Sequence, residues 1–380
     1  MAVSVPAAFR EAVRPRAILV FTVLAADPEG RLPAALTAFG RRLTRVQYVS
    51  RPVPVPGGQL MLVDLEKASK RVLAAVPDWL VEELTAAGIT DATVELPPTM
   101  GERYYDVWAF APAARAFLVP PVAWPPREQT PLDLLDTVLA WLRDQPGPDV
   151  PPFAQALGAE IPLTWESAAQ VGAGILRSGQ TTSVTVVTDF ATSVAGAVVS
   201  NGFHGASPRA SVTAAGAGWP AGAVAQRMRA QREMIRRYPH PLGWAGVTAD
   251  VDAEWTMFED WVERPQDRAC RHESRRLHEL ASDVLAPDAM WYQVLSAGHL
   301  ERLGGPPQRA VPLRNGAYEL TVGEPEQWLP GHPDRAAVRD RGRELLAGCV
   351  GTTEEASYDV HRARVERWRR EDPNGLLRDA

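Results

Sequence analysis

The stretch Ala17–Ala25, AILVFTVLA, decides how the first part of the chain folds. It is a continuous apolar run of strand length, and it is too short to span a membrane. A run of this kind predicts a central strand that is buried on both faces. The turn-forming residues Asp27, Pro28 and Gly30 follow directly and end the strand.

Alternating helical and extended patterns continue from this strand to Leu96. Apolar residues at helical spacing predict two helices, and extended patterns predict three further strands. The predicted ranges are Leu32–Val46 and Lys67–Ala87 for the helices and Val46–Val53, Gln59–Leu65 and Thr90–Leu96 for the strands. Gly88 should stop the second helix, and Pro77 should kink or divide it.

The resulting order is strand, helix, strand, strand, helix, strand. This βαββαβ order is the split βαβ pattern of ferredoxin-like domains, which places two helices on one face of an antiparallel sheet. We therefore predict an α+β fold with a ferredoxin-like N-terminal lobe over residues 1–128. Such lobes serve enzymes, regulators and binding modules alike, so the fold does not decide the function.

The rest of the chain predicts a second α+β lobe, with helices covering a mainly antiparallel sheet. A helix and a proline-rich linker over 129–152 should join the lobes, and the second lobe should span 153–351. Within it, Ala221–Tyr238 is a strong helix whose end is rich in arginine, which suits the negative end of the helix dipole. An amphipathic helix and tail should occupy 352–380.

Bulk properties exclude several classes of protein. The chain has 380 residues and a net charge of −6, so it lacks the basic character of a general nucleic-acid binder. Two cysteines, Cys270 and Cys349, do not form a secreted disulfide framework. The N-terminus does not resemble a signal peptide, and no long apolar run suggests a membrane span. We expect a cytoplasmic protein that binds neither membrane nor nucleic acid.

Motifs that carry chemistry are scarce. The sequence contains no phosphate-binding GxxxxGK[ST], no GxSxG, no HExxH and no CxxC. Gly216-Ala217-Gly218 precedes a predicted helix, but Trp219-Pro220 crowds that turn and no acidic ribose partner is evident. His272 and His278 are six positions apart, so they do not share a helix face as metal ligands would. We predict no catalytic constellation, no cofactor and no metal.

Two polar segments remain open to functional and structural interpretations. Asp250, Asp252 and Glu254 stand at every second position. An extended chain would therefore present all three carboxylates on one side, where they could bind a divalent cation. The same acids could instead begin a helix and favour its dipole. His204, in NGFHGAS, could be a catalytic group at a turn or a residue of a hairpin loop.

The segment Trp291–Pro307, WYQVLSAGHLERLGGPP, carries a histidine between a strand and a short helix. Ser296 is a good N-cap, and Gly304-Gly305 gives a left-handed stop before Pro306. His299 has no evident structural role, and the amide end of a helix favours its neutral form. We therefore keep it as a residue that could contact a ligand or partner.

This segment continues into GAYELTVGEP and PGHPDRAAVRDRGREL, and the whole stretch resembles the C-terminal part of immunity proteins from bacterial toxin systems. The resemblance covers about a third of the chain, including the helix and strand near 221–247. It implies a non-catalytic cytoplasmic protein that binds a cognate toxin. The arginine-for-lysine bias is typical of a GC-rich bacterium.

The leading hypothesis is thus a non-enzymatic protein-binding module, with another protein as partner and a cognate toxin as the narrower prediction. The alternative is an enzyme, a hydrolase or transferase, with a pocket between the lobes. A third interpretation is a structural subunit that assembles through its C-terminal helix. The binding candidates are His299, Trp291, Tyr292, His204, Trp244, Asp250 and Asp252.

Overall fold

The computed structural model contains two compact units of mixed α and β structure. The first comprises Met1–Tyr104 with Pro146–Asp189, and the second Tyr105–Gln145 with Phe190–Ala380. The structure describes residues 3–14, 18–27, 29–43, 46, 48–55, 57–65, 67–96, 113–121, 129–145, 152–156, 159–177, 183–189, 193–200, 208–216, 218–249, 283–286, 288–313 and 316–350.

The first unit begins with the elements that the sequence predicts around AILVFTVLA. They are α1 (Ala7–Ala12), β1 (Ile18–Leu24), α2 (Leu32–Arg42), β2 (Tyr48–Val49), β3 (Val53–Val55), β4 (Gly58–Asp64), α3 (Lys70–Ala86) and β5 (Thr93–Glu95). The strands form an antiparallel sheet in the order β2-β4-β1-β5, and the short β3 also pairs with β4. α2 and α3 thus each connect two strands that are separated by one other strand, which is the connectivity of a split βαβ unit. The ferredoxin-like designation of this lobe stays a prediction.

One apolar core lies between this sheet and its helices. Alternate residues of β1 and β4 point to α2 and α3, because side chains of a strand alternate between its faces. The buried core includes Leu19, Phe21, Val23, Met61, Val63, Leu36, Phe39, Val76, Leu80 and Leu84. Phe21 contacts Phe9 and Phe39 edge to face, with ring centroids 5.1 and 6.2 Å apart. Helix α3 continues through Pro77 as one helix, and Gly88 ends it at φ +74°.

The first unit also contains β7 (Phe153–Ala156), β8 (Ala159–Pro162), α5 (Trp165–Arg177) and β9 (Ser183–Asp189), and β7 pairs antiparallel with both β8 and β9. A reciprocal pair of side-chain bonds caps the start of α5. Thr164 Oγ1 accepts from Ser167 N at 3.2 Å, and Ser167 Oγ accepts from Thr164 N at 2.9 Å. Gly174 of α5 lies against Val53, so an added Cβ would stand 2.5 Å from Val53 Cγ1.

The second unit is built on seven antiparallel strands. They are β6 (Ala113–Val119), β10 (Ser193–Ser200), β11 (Arg209–Gly216), β12 (Trp244–Thr248), β13 (Tyr292–Leu295), β14 (Val311–Pro312) and β15 (Tyr318–Thr321). Their order is β14-β15-β13-β12-β6-β11-β10. β6 is buried at every position and lies between β11 and β12. The predicted α+β class, with a mainly antiparallel second sheet, is confirmed.

The described residues of this unit include four helices beside the sheet: α4 (Gln129–Arg143), α6 (Ala221–Arg237), α7 (Ala297–Leu303) and α8 (Arg335–Leu345). α4 packs on β10 and β11, and α6 packs on β6 and β12. A 3-10 turn at Pro325–Trp328 contacts both α6 and α8. The side-chain amide of Gln231 in α6 donates to the Ala114 carbonyl of β6 at 2.9 Å, which ties the helix to the central strand.

The compact units divide the chain at different places from the predicted boundaries at residues 128 and 152. β6 belongs to the predicted first lobe but is central to the second sheet, because its seven buried positions need a pairing strand on each edge. The helix over 129–143 packs within the second unit rather than serving as a linker. The predicted C-terminal helix and tail at 352–380 lie outside the described residues.

No helix in the described part of the chain is both long enough and apolar enough to cross a membrane.

Replacing Phe21 by alanine should lower the free energy of unfolding of the first unit by about 3–5 kcal/mol. The side chain is fully buried between two other rings, so its loss leaves a cavity as well as removing buried apolar area. Denaturant unfolding measures the change. The exposed Arg71→Ala is the matched control and should stay within about 0.5 kcal/mol of the parent. An equal effect of both substitutions would contradict the described core.

Candidate functional site

Three of the predicted binding residues belong to the core of the second unit. Trp244, Trp291 and Tyr292 expose 1, 2 and 0% of their surface, respectively. Trp244 stacks on Phe117 of β6 with ring centroids 6.3 Å apart. Burial leaves these side chains almost no surface with which to contact a partner, so their positions do not support the predicted binding role.

His204, Asp250, Asp252, His272, His278 and Cys270 lie outside the described residues. The described remainder contains no group of three or more histidine, cysteine or acidic side chains that could hold a metal ion. Cys349 is buried as a free thiol, and burial raises its pKa to about 12, which keeps it protonated and unreactive.

His299 forms the cap of the short helix α7, a role that the sequence interpretation missed. Its Nδ1 accepts from the Ser296 backbone N–H at 3.2 Å and lies 2.9 Å from Ser296 Oγ. Together with the bond from the His299 amide to the serine side chain, this is a capping box with histidine in the usual place of glutamate. Gly304 ends the helix at φ +73°, as predicted.

The Ser296–His299 pair has the residue types of a nucleophile and its base, but its geometry is structural. The Ser296 hydroxyl donates to the Asp283 carbonyl, so its proton points away from the imidazole. The His299 ring is fully buried, so a substrate has no route to it. Burial lowers the pKa of His299 to about 4, and the Leu285 carbonyl opposes this only in part. The ring is therefore neutral at pH 7 and serves the fold.

Two carboxylates, the buried Glu319 and the part-buried Asp288, each bind two arginines, of α6 and α8 respectively. Glu319 accepts from Tyr292 Oη at 3.1 Å and pairs with Arg232 and Arg236 at 3.3 Å each. Asp288 is bound in the same way by Arg339 and Arg343. Burial raises the pKa of Asp288, but the two guanidinium groups outweigh burial and leave it below its usual range. These ion pairs hold α6 and α8 in place, and their arginines therefore already have opposite charges within the protein.

Arg227 of α6 differs from these arginines because it has no carboxylate partner in the part of the chain that the structure describes. Its Nη1 donates to Gln145 Oε1 at 2.8 Å, and its guanidinium carbon lies 5.6 Å from the centre of the Trp219 ring. Among the described residues, no acidic side chain forms an ion pair with it. We call Trp219, Arg227 and Gln145 the Trp219–Arg227 patch.

Gln145 holds the arginine in a fixed orientation. The amide is buried, and its Nε2 donates to the Trp141 carbonyl at 2.9 Å. Because this bond fixes which end of the amide is nitrogen, Oε1 is directed at Arg227. A neutral amide oxygen orients a guanidinium without neutralising its charge, so the positive charge remains available.

Trp219 is positioned by the glycine that ends β11. A Cβ at Gly216 would stand 2.0 Å from Trp219 Nε1, so the indole lies directly on the end of the strand and only glycine fits there. Gly218 has φ +69° and turns the chain towards α6. Both Trp219 and Arg227 keep part of their surface exposed. The patch thus presents an aromatic face and a cation at the surface of the second unit.

Electrostatics set Arg227 apart. The pKa of three other arginines is raised by a neighbouring carboxylate. The main cause is Glu82 for Arg42, Glu319 for Arg236 and Asp288 for Arg343. Burial lowers the pKa of Arg227, because its charged form has lost hydration without gaining a counter-charge. The first turn of α6 next to Trp219 also carries no acidic residue. An anionic group bound here would therefore offset an existing desolvation cost.

Part of this patch has a local signal in the sequence. Gly216-Ala217-Gly218 stands before a helix, as in a nucleotide-binding turn, and Trp219 crowds that turn. A long side chain in a helix leans towards the N-terminus, so an arginine one or two turns into α6 can reach back to that turn. The contribution of Gln145 had no local signal, because it lies 82 positions away.

Comparison with protein-family models, curated proteins and solved structures found no match to this chain.

Replacing His299 by glutamine should make stability less dependent on pH between about 7 and 4. In the parent, the unfolded chain takes up a proton near pH 6.5, while the folded state resists it until about pH 4. Stability is therefore full above pH 6.5 and falls as the pH drops, by on the order of 3 kcal/mol at pH 4. Glutamine keeps a side chain suited to the capping box but does not titrate.

Denaturant unfolding at pH 7, 5.5 and 4 measures this difference. His332→Gln is the matched control, since that ring is partly exposed and its Nδ1 accepts from the Asp334 amide. The control should keep the pH dependence of the parent. A His299→Gln protein with an unchanged pH profile would show that the ring is accessible to protons in the folded state.

Proposed function

We propose that this chain acts by binding another protein, and that the Trp219–Arg227 patch is the centre of the contact. The observation that carries the proposal is that Arg227 is oriented by Gln145 and Trp219 but has no carboxylate partner among the described residues. A partly desolvated cation of this kind is stabilised when an anionic group of a partner reaches it.

The chemistry of the patch supports binding rather than catalysis. Tryptophan and arginine are the residue types that dominate binding energy at protein interfaces. The three side chains of the patch include no nucleophile and no group that titrates near pH 7. The Ser296–His299 pair, which could have suggested a hydrolase, is committed to capping α7.

The narrower form of the proposal is an immunity protein that binds a bacterial toxin. It rests on the resemblance of the stretch from Trp291 to Leu346 to the C-terminal part of such proteins, and on the acidic net charge of −6. The gene of the toxin should then lie next to the gene of this protein, and the toxin should harm cells that lack this protein. Co-expression of the two genes should then restore growth, and failure to do so would remove the immunity interpretation while leaving protein binding in place.

The test is affinity capture with crosslinking from a lysate of the source organism. Three baits are compared: the parent chain, Arg227→Gln and Arg237→Gln. Arg237 is the matched control because it is an exposed arginine on the same helix. A specific partner should be captured by the parent and the control, and its recovery should fall about tenfold or more with Arg227→Gln.

Recovery that is equal with all three baits would overturn the proposed site. If the purified parent retains no protein from that lysate at a stoichiometric level, the binding function itself is wrong. Circular dichroism and thermal unfolding of each bait establish that a loss of capture is not a loss of fold.

A further inference from the structure

We infer that the Trp219–Arg227 patch recognises a single carboxylate on an acidic segment of the partner protein, flanked by an apolar side chain. This inference rests on the proposed function and specifies the chemistry of the partner at the same site. It is carried by the charge balance around α6, by the free edge of the Arg227 guanidinium and by the position of Trp219.

The charge balance indicates a ligand with one negative charge. α6 contains five arginines and one glutamate, but most of these arginines are already compensated. Arg229 pairs with Glu326 at 2.9 Å, and Arg232 and Arg236 share Glu319. Among the described residues neither Arg227 nor Arg237 has a carboxylate partner, but Arg237 is exposed to solvent, whereas the partly buried Arg227 adds one positive charge to the patch. A carboxylate matches that charge, whereas a phosphate dianion would leave an excess negative charge.

The same balance argues against a nucleic acid as the partner. Nucleic-acid binding depends on an array of cations that neutralise successive phosphates. Here Arg229, Arg232 and Arg236 pair with carboxylates of the protein. Among the described residues of α6, only the partly buried Arg227 and the exposed Arg237, ten positions apart, lack such a partner. A single cation next to an aromatic ring suits one acidic side chain of a protein.

The orientation of the guanidinium suits a carboxylate. Nη1 is the nitrogen that donates to Gln145, and the described residues place no acceptor on the Nε–Nη2 edge. Two parallel N–H donors on that edge match the two oxygens of a carboxylate, and bidentate pairs of this kind are stronger and more directional than single bonds. Because Gln145 fixes the fork beforehand, little side-chain entropy is lost when the carboxylate binds.

Trp219 adds selectivity for the partner residue that lies next to the acidic side chain. Its indole is held on the end of β11 by the close approach to Gly216, and part of the ring remains exposed. An exposed aromatic face that is already rigid favours an apolar neighbour, since burial of apolar area contributes about 25 cal/mol per Å². The expected motif is therefore an aspartate or glutamate next to an apolar residue.

The experiment is a titration of 5-fluorotryptophan-labelled full-length protein, followed by fluorine NMR. The chain has 12 tryptophans, and Trp219→Phe identifies the Trp219 signal by its disappearance. The probes are N-acetyl-Glu-Leu-amide, its Gln-Leu counterpart and inorganic phosphate. The Glu-Leu peptide should shift the Trp219 signal with a Kd of roughly 1–10 mM, as expected for a minimal fragment. The Gln-Leu peptide should bind at least about tenfold more weakly.

Two variants test the role of the guanidinium. Arg227→Gln should abolish the shift, and Arg227→Lys should weaken binding about three- to tenfold, because lysine keeps the charge but loses the planar fork. Arg237→Gln should behave as the parent. The signals of the other tryptophans should be unchanged in each variant, which separates loss of the site from loss of the fold.

Equal shifts by the Glu-Leu and Gln-Leu peptides would overturn carboxylate recognition. So would the absence of any shift, or a shift that survives in Arg227→Gln. Phosphate binding more tightly than the Glu-Leu peptide would assign the patch to a phosphorylated partner instead. In all these cases an Arg227-dependent capture from the lysate would still stand, so failure of this inference is distinguishable from failure of the proposed function.

Discussion

The second unit depends on the pairing of β6. All seven residues of Ala113–Val119 are buried, and a strand in that position must satisfy its backbone hydrogen-bonding groups on both edges. β11 supplies one edge and β12 the other, with Arg115 opposite Thr213 and Thr248. α6 then packs on this central strand and is fixed to it by the bond from Gln231 to the Ala114 carbonyl. The positions of Trp219 and Arg227 follow from that arrangement.

The Trp219–Arg227 patch shows how a fold can leave a charge available. Glu319 and Asp288 each bind two arginines and thereby attach α6 and α8 to the sheet. From the described residues, Arg227 receives a neutral amide and an aromatic face and no carboxylate. A guanidinium of this kind has lost part of its hydration without an opposite charge, so the fold keeps a small electrostatic cost that binding can relieve. This asymmetry is what distinguishes the patch from the structural ion pairs around it.

His299 illustrates the opposite case. A histidine beside a serine suggests catalysis when only residue types are considered. The hydroxyl of Ser296 donates to the Asp283 carbonyl, however, and the imidazole accepts from the backbone amide of Ser296. The serine hydroxyl and the imidazole Nδ1 are both engaged in local bonds and the ring is fully buried, so the chemistry that the residue types permit is not available. Hydrogen-bond direction and burial, rather than residue identity, decide between the two roles.

The sequence by itself determined the local elements. AILVFTVLA predicted β1, helical spacing predicted α2, α3 and α6, and Ser296 with Gly304 predicted the limits of α7, because these signals depend on residues within a few positions of each other. Only the tertiary structure decided that β6, which lies within the predicted first lobe, pairs in the sheet of the second unit. An apolar strand does not by itself specify which strands it pairs with. The tertiary structure also decided that Gln145 meets Arg227 across 82 positions, and that Trp244, Trp291 and Tyr292 are buried. Contacts of this range are set by packing of whole elements, and no local pattern encodes them.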